Sequence, residues 1–424
     1  MLRLLYTLIL TLVAPLFLYG LFKRKSGKPS VGKRWKEHFG FTPEIVRKED
    51  QPVVWFHAVS VGEVIAVTPL IRRYASANPN HTLVVTTTTP TGAEQADKLA
   101  DIAQHRYMPL DFSFAIKGFI KRIRPSELII VETELWPNTL SSVSRAGVPI
   151  TVINARLSER SCQNYAKVRP FFWLAAQHID TLCCQFEADA ERFIRLGVEK
   201  SRILVTGSIK FDITVKPETQ TDGDHLRSIL GPDRPVWVAA STHEGEEEKV
   251  LSAHQALIKN QPNALLLLVP RHPERFNRVE QLCNETGFSV ERKSLTHQLI
   301  SPSTSVFLGD TMGEMMTYLA ASDLCFMGGS LIGNKVGGHN VLEPAALGTA
   351  CITGPSYFNF TQVVEQMLNA QAIEVVNEEH QLADILEALM QNPKRREALE
   401  HSAKQVVKQS QGAINQTLDE LMSR

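Results

Sequence analysis

Neither sign of charge prevails in this 424-residue sequence, in which 45 lysines and arginines stand against 45 aspartates and glutamates. Such a chain has no general field to draw in nucleic acid, and no nucleic-acid partner is expected. Cysteine is scarce: Cys162, Cys183, Cys184, Cys283, Cys325 and Cys351 form no CxxC pair and no spaced cluster. That is the usage of buried thiols, so neither disulfides nor a zinc site is expected. GxGxxG is missing, which leaves a dinucleotide enzyme without support. The DxD carboxylate pair of many metal-dependent sugar transferases occurs only as Asp222-Gly-Asp224, in a polar, turn-rich stretch and not at a strand end. The chemistry is therefore expected to use no metal and no cofactor. Internal repeats and low-complexity tracts are also lacking.

What the chain does have is apolar residues, 43% of the total, enough for at least two ordinary domains with full cores. They are concentrated first in residues 1–22, where Arg3 is the single charge. That length just matches the roughly 20 apolar residues a bilayer core requires. Lys23, Arg24, Lys25, Lys28, Lys33, Arg34 and Lys36 follow. The excess of positive charge after the segment predicts that the bulk of the protein stays on the cytoplasmic side. A cleaved signal peptide fits poorly, because basic residues stand where small ones should precede a cleavage site. Pro15 leaves open a kinked segment lying partly in the membrane interface.

From residue 51 to 215 short apolar runs alternate with amphipathic stretches. Strands are predicted over Val53–His57, Thr82–Thr88, Leu128–Val131, Ile150–Ile153, Thr181–Gln185 and Ile203–Val205, with helices between them. Residues 216–233 read as a linker. A second alternation fills 234–380, with strands over Val236–Ala240, Ala264–Val269, Val306–Leu308, Leu324–Met327 and Ala350–Thr353, and residues 381–424 read as C-terminal helices. The fold class is α/β: two domains with parallel sheets, meeting at a cleft between two sets of strand ends.

In the first half, Val53 to Ala66 reads as a strand, a tight turn at Ser60-Val-Gly62 and the opening of a helix. Glu63 then lies at the carboxyl end of a strand, where open α/β sheets bind ligands, and the helix N-terminus favours its ionised form. Alone, a carboxylate there most often complements the helix dipole. Val131 to Asn138 puts Glu132 and Glu134 at another strand end, with Glu134 the better candidate for a structural cap. Arg156 follows the next strand as an anion donor, and Lys210 follows the last strand before the linker, placed to stabilise a departing phosphate.

Three loops of the second half suit a nucleotide and an acidic sugar. Arg271 and His272 directly follow a strand and offer donors to phosphate or carboxylate. Gly309 to Glu314, with Met312, Gly313 and Glu314, lies between a strand and a helix and could equally be a simple helix cap. Gly328 to Pro344 holds five glycines within eleven residues, permitting close backbone approach to a ligand. Asn340, Val341, Leu342 and Glu343 then open a helix, and Glu343 can accept ribose hydroxyls. The loop approaches a phosphate-binding P-loop but fails its pattern, because Asn334 precedes Lys335 and no Ser or Thr follows.

The runs His57 to Glu63, Glu132 to Asn138, Asn154 to Ser158, Thr206 to Asp212, Pro270 to Phe276, Gly309 to Glu314 and Gly337 to Glu343 closely resemble the 3-deoxy-D-manno-octulosonic acid (Kdo) transferases of Gram-negative lipopolysaccharide synthesis. The likeness extends from the apolar N-terminus to about Phe360, in the same order. The resemblance implies a GT-B fold, with an acceptor-binding Rossmann-like domain followed by one that binds CMP-Kdo. It implies inverting transfer of Kdo to the lipid A precursor lipid IVA at the inner membrane. On that resemblance Glu63 is the general base, Glu132 and Lys210 stabilise the transition state, and Arg271 with His272, Met312 to Glu314, and Asn340 to Glu343 hold CMP. Two other readings compete: a GT-B nucleotide-sugar epimerase or hydrolase, and a membrane-tethered nucleotide-binding module.

Overall fold

A computed structural model describes residues 2–22, 31–47, 50–378 and 380–423. The chain divides into two compact units, residues 1–212 with 411–424, and residues 213–410.

The first unit is a seven-stranded sheet in the order β3-β2-β1-β4-β5-β6-β7, every neighbouring pair parallel. Its strands are β1 (Val53–His57), β2 (Thr82–Thr87), β3 (Ala103–Tyr107), β4 (Glu127–Val131), β5 (Ile150–Ala155), β6 (Thr181–Cys184) and β7 (Ile203–Val205). Its helices are α1 (Leu2–Phe22), α2 (Val61–Ala77), α3 (Pro90–Ala96), α4 (Ser113–Ile123), α5 (Pro137–Arg145), α6 (Glu159–Lys167), α7 (Arg169–Ala176) and α8 (Glu187–Arg195). Strands covered on both faces need apolar residues in both pleat directions, and the continuous runs Val53 to His57 and Leu128 to Val131 supply them. Trp55, Phe119 and Leu140 pack under one face, and Phe56, Val67 and Ile71 under the other. β3 escaped the sequence reading because Gln104, His105 and Arg106 break its apolar run. The polar side chains there are used: His105 Nε2 pairs with Thr87 Oγ1 at 2.9 Å, and Arg34 reaches His105 Nδ1 at 3.0 Å.

The second unit repeats the plan in the order β10-β11-β9-β8-β12-β13-β14, again parallel throughout. It contains α9 (Pro217–Leu230), β8 (Val236–Thr242), α10 (Glu247–Asn260), β9 (Leu265–Pro270), α11 (Phe276–Glu285), β10 (Val290–Arg292) and β11 (Val306–Leu308). The chain continues through α12 (Met315–Ala320), β12 (Leu324–Met327), α13 (Leu342–Leu347), β13 (Ala350–Thr353), α14 (Thr361–Asn369), β14 (Glu374–Val375), α15 (Gln381–Gln391) and α16 (Pro393–Ser410). The last helix, α17 (Ala413–Met422), belongs to the first unit.

Three expectations change. The linker expected over 216–233 is largely helix α9, begun by Pro217 at its first turn, with Leu226, Ile229 and Leu230 buried. Gly223, which invites a turn assignment, is instead a contact glycine, since a Cβ there would come within 2.5 Å of the Ala320 Cβ on α12. The C-terminal helices expected over 381–424 as one tail are split between the units, because Asp212 captures the amides of Gly412 and Ile414 at 2.6 and 2.5 Å.

The third concerns the N-terminus. Residues 2–22 are helical, but among the described residues no helix is long and apolar enough to cross a membrane. Tyr6 donates to Asp111 at 2.8 Å, Asn138 donates to Thr7 at 3.0 Å, and Arg3 reaches Ser113 at 3.4 Å. Asp111 is itself buried, and it also accepts from the amides of Asn138 at 3.1 Å and Thr139 at 2.6 Å. One polar stripe of α1 is thereby tied to the first unit. Leu4, Leu5, Leu8, Ile9, Leu12 and Val13 are left exposed. Of the expected basic flank, Lys23, Arg24, Lys25 and Lys28 lie outside the described residues, while Lys33, Arg34 and Lys36 belong to a short 3-10 helix, Gly32–Phe39.

Candidate functional site

In each sheet the strand order reverses beside the strand that comes first in sequence, between β1 and β4 and between β8 and β12. At such a switch point the following loops diverge to opposite faces and leave a crevice at the carboxyl ends. The predicted site residues fall on these two edges, each within its own unit.

On the first edge, β1 runs out at His57 and Ser60 caps α2, accepting from the Glu63 amide at 3.3 Å. Glu63 returns the contact, accepting from the Val59 amide and the Ser60 hydroxyl, each at 2.8 Å. This is a form of capping box, so the structural role that sequence assigns most readily to such a residue is real. A second property is added to it. Burial, with the nearby carboxylates of Glu132 and Glu134, outweighs the two hydrogen bonds and raises Glu63 to about 7. The expectation that the helix N-terminus would favour the ionised form is corrected in direction: desolvation wins over the cap. A carboxylate poised near neutrality, with lone pairs to spare on both oxygens, is suited to taking a proton from a hydroxyl.

Across the switch point, Glu132 directly follows β4 with a backbone φ of 61°, a left-handed conformation costly for a side chain of its kind. Its carboxylate pairs with Lys210 Nζ at 3.2 Å. Glu134 is turned to a structural task, accepting from Trp136 Nε1 at 3.0 Å, and burial raises its carboxyl above the ordinary range. The Trp136 ring meets His57 edge-on with centroids 5.3 Å apart. His57 is fully buried against Thr86 Oγ1 at 2.9 Å, and burial lowers it to about 4, so it is a neutral strut.

Lys210 is fixed from two sides. Asn154, also at positive φ (53°), accepts from the Ile209 amide at 3.2 Å through its side chain. Asp212, two residues beyond Lys210, holds the start of α17. Arg156 is brought near this edge by its backbone, whose amide donates to Thr133 Oγ1 at 3.2 Å. Asn154 was legible as part of a motif but not as the support of Lys210, because the pairing joins residues 55 positions apart.

On the second edge, Arg271 and His272 leave β9 with the Arg271 amide bonded to the Thr242 carbonyl at 2.9 Å. The imidazole of His272 lies edge-on to His243 with centroids 5.3 Å apart, and the His243 and His339 rings lie end to end and nearly coplanar, centroids 5.1 Å and planes 4° apart. Glu343 is pushed above the ordinary range by burial, opposed by its bond from Asn340 (3.2 Å) and by the charge of Arg271. Asn340 also caps the start of α13 by accepting from the Leu342 amide at 3.2 Å. The loops carrying Arg271 and His272 and those carrying His339 to Glu343 are thus joined in one cluster. Met312, 61% exposed, and Gly313, at φ 86°, sit on the neighbouring strand end, and Glu314 is held by Thr311 and Tyr318.

Sequence reasoning missed two residues here, His243 and Glu246. Both lie in the run His243 to Glu247 directly after β8, where Glu246 was absorbed into a helix start and His243 was passed over. It also expected the glycines of 328–338 to open their backbone to a ligand. The amides of Gly329, Ser330 and Leu331 instead donate to buried Glu246, at 2.7, 3.0 and 2.9 Å. The six cysteines are all buried free thiols. Among the described residues no group of three or more His, Cys, Asp or Glu side chains is arranged to hold a metal ion.

A family model described as 3-deoxy-D-manno-octulosonic-acid transferase (kdotransferase) matches residues 33–213, and one described as glycosyl transferases group 1 matches residues 233–406. The chain is 40% identical over 421 residues to the 3-deoxy-D-manno-octulosonic acid transferase of Haemophilus influenzae, covering 98% of this chain and 97% of that protein. It is 32% identical over 429 residues to the protein of the same name from Bordetella pertussis, covering 98% of each. The solved structure of UDP-GlcNAc 2-epimerase from Neisseria meningitidis matches 88% of this chain and all of its own with a TM-score of 0.59 at 14% identity, a likeness of fold alone.

Proposed function

The chain belongs to the 3-deoxy-D-manno-octulosonic acid (Kdo) transferase family, and from that premise we propose which of its groups carry the reaction and on which acceptor. It is a GT-B glycosyltransferase that transfers Kdo from CMP-Kdo in the building of the lipopolysaccharide core.

The observation that carries the finer reading is Glu63, raised to about 7 beside the Glu132–Lys210 pair at the switch point of the first sheet. Glu63 takes the proton from the acceptor hydroxyl as that oxygen attacks the anomeric carbon of Kdo. The bond from that carbon to the CMP phosphate oxygen breaks, and CMP leaves with the electron pair. Attack from the face opposite the leaving group inverts the centre. Lys210, oriented by Glu132, offsets the negative charge that builds on the departing phosphate. Arg271, His272, Met312, Gly313, Glu314 and Asn340 to Glu343 bind the CMP portion, with Arg271 for an anion and Glu343 for hydroxyls.

The acceptor in this reading is lipid IVA. Mass spectrometry after incubation with CMP-Kdo and lipid IVA tests it, with an expected gain of one or more Kdo residues and no gain from the corresponding UDP-sugar. CMP should raise the melting temperature and UMP or ADP should not. Unchanged lipid IVA together with protection by UMP would sink the reading.

Attachment to the cytoplasmic face of the inner membrane is the matching proposal for the N-terminus. Its support is the exposed stripe of Leu4, Leu5, Leu8, Ile9, Leu12 and Val13 on a helix whose polar stripe is bonded to the protein. Trp173 on the adjacent α7 and Phe114 on α4 add exposed aromatic surface. Such a helix lies in the interface. Replacing Leu4, Leu8 and Leu12 with Asn should weaken binding to phosphatidylglycerol vesicles by ~100-fold or more, since each buried leucine contributes at least about 1 kcal/mol. Protection by CMP should persist in the variant, and undiminished flotation with vesicles would refute an interfacial helix.

A further inference from the structure

The donor-side loop is held in shape from within the protein, by an internal anion. β8 ends in a bulge: its register against β9 shifts between Ala240 and Thr242, and Ser241 takes a φ of 57°. The chain is thereby turned so that His243 and Glu246 meet the loop after β12. The Glu246 side chain is completely buried, and its carboxylate accepts four backbone N–H groups, those of Gly329, Ser330 and Leu331 and its own neighbour His243 (3.3 Å). A concave run of amides of this kind is what phosphate sites use to bind an anion. Here it is already filled. Gly328 has to be glycine for the filling to fit, since a Cβ there would come within 2.8 Å of Glu246 Oε2.

The clamp reaches the residues assigned to the donor in two steps. The Gly329 carbonyl accepts from the Gly338 amide at 2.9 Å, so fixing Gly329 fixes the far end of the loop. The His339 ring packs on Gly329, where a Cβ would meet its Cδ2 at 2.9 Å, and His339 Nε2 is 2.8 Å from His243 Nε2. An Nε2 to Nε2 bond requires one imidazole to donate and the other to accept, which fixes the tautomers and the ring planes together. His339 is followed directly by Asn340 to Glu343. The turn after β8 therefore grips both ends of the loop that delivers the donor-binding segment.

We propose that Glu246 and His243 are positioning residues for donor binding, Glu246 as a built-in anion that preforms the 328–339 loop and His243 as the tether that sets His339 ahead of Asn340 to Glu343. This rests on the reading that Arg271 and Asn340 to Glu343 bind the CMP portion of the donor. Neither Glu246 nor His243 needs to touch the substrate.

The test is calorimetric CMP binding, with steady-state kinetics, on the full-length Glu246→Ala, His243→Leu and Arg271→Ala proteins, with and without formate. If the competent loop falls to a tenth of the population, apparent affinity falls by the same factor. Glu246→Ala should therefore bind CMP at least about tenfold more weakly and show a matching rise in KM for CMP-Kdo. Its kcat at saturating donor and its KM for the lipid should change by less than about threefold. Formate, small enough to enter the emptied amide cup, should restore most of the lost CMP affinity and leave wild type unchanged. His243→Leu, which keeps the anion, should weaken CMP binding by about five- to tenfold without responding to formate, and it serves alone if Glu246→Ala does not fold. Wild-type CMP affinity in either folded variant overturns the proposal, as does a loss confined to kcat. If Arg271→Ala loses CMP binding while Glu246→Ala does not, the donor assignment stands and this proposal falls. Wild-type affinity in Arg271→Ala removes the donor assignment and this proposal with it.

Discussion

Glu63→Gln is expected to lower kcat for Kdo transfer by about 100- to 10,000-fold, the usual contribution of a positioned general base. CMP binding should be unchanged, because the residues proposed to bind CMP lie in the other unit. Gln retains the volume, its Oε1 can still accept from the Val59 amide and its NH2 can donate to Ser60 Oγ in place of the bond that Ser60 gives, so the cap of α2 survives and the loss reports on the proton transfer. The pH dependence gives the sharper signature. A base must be ionised to act, and burial together with Glu132 and Glu134 raises Glu63 to about 7. For wild type, kcat/KM for the acceptor should be flat above that pH and fall about tenfold per unit below it. The Gln variant should lack this acid limb. A variant that keeps both the limb and the rate would assign the base to another group.

Lys210→Met is expected to cost about 100- to 1,000-fold in kcat, the range found when one preorganised electrostatic group is removed from a developing negative charge. KM for CMP-Kdo should move far less, because the charge that Lys210 meets is larger in the transition state than in the bound donor. Glu132→Gln should produce a smaller loss. The double variant should be little worse than Lys210→Met alone, since the 3.2 Å pair acts as a unit. Additive losses in the double variant would mean that Glu132 has a separate role. A Lys210→Met protein with full turnover would remove the lysine from the mechanism.

The placement of most candidate site residues could be read from sequence because each chemical group follows a short apolar run, and a strand's carboxyl end is where such groups gather. Glu63, Glu132, Lys210 and Arg271 were all visible in that way. What could not be read depended on contacts between distant segments. Glu246 looked like a helix-start acid, since nothing in its own neighbourhood says that the amides of residues 329–331 surround it. Residues 216–224 looked like a linker because Gly223 and its polar neighbours match turn chemistry, whereas the decisive fact is the small Ala320 opposite Gly223. β3 was hidden by Gln104, His105 and Arg106, whose partners Arg34 and Thr87 come from elsewhere in the chain. The direction in which Glu63 shifts was misjudged for a related reason: a helix terminus is local, while the burial that outweighs it, and the Glu132 and Glu134 carboxylates beside it, are brought in by the fold.

The return of α17 to the first unit, held by Asp212, has a consequence for how this chain can be cut and recombined. Residues 213–410 are, in connectivity, an insertion between the two parts of one unit. Removing everything after residue 212 would leave that unit without Ile414 and Leu421, which fill its core beside Val67 and Ile71. A graft that exchanges sugar-donor specificity between relatives should therefore be spliced at both junctions, keeping residues 1–212 and 411–424 from the same parent.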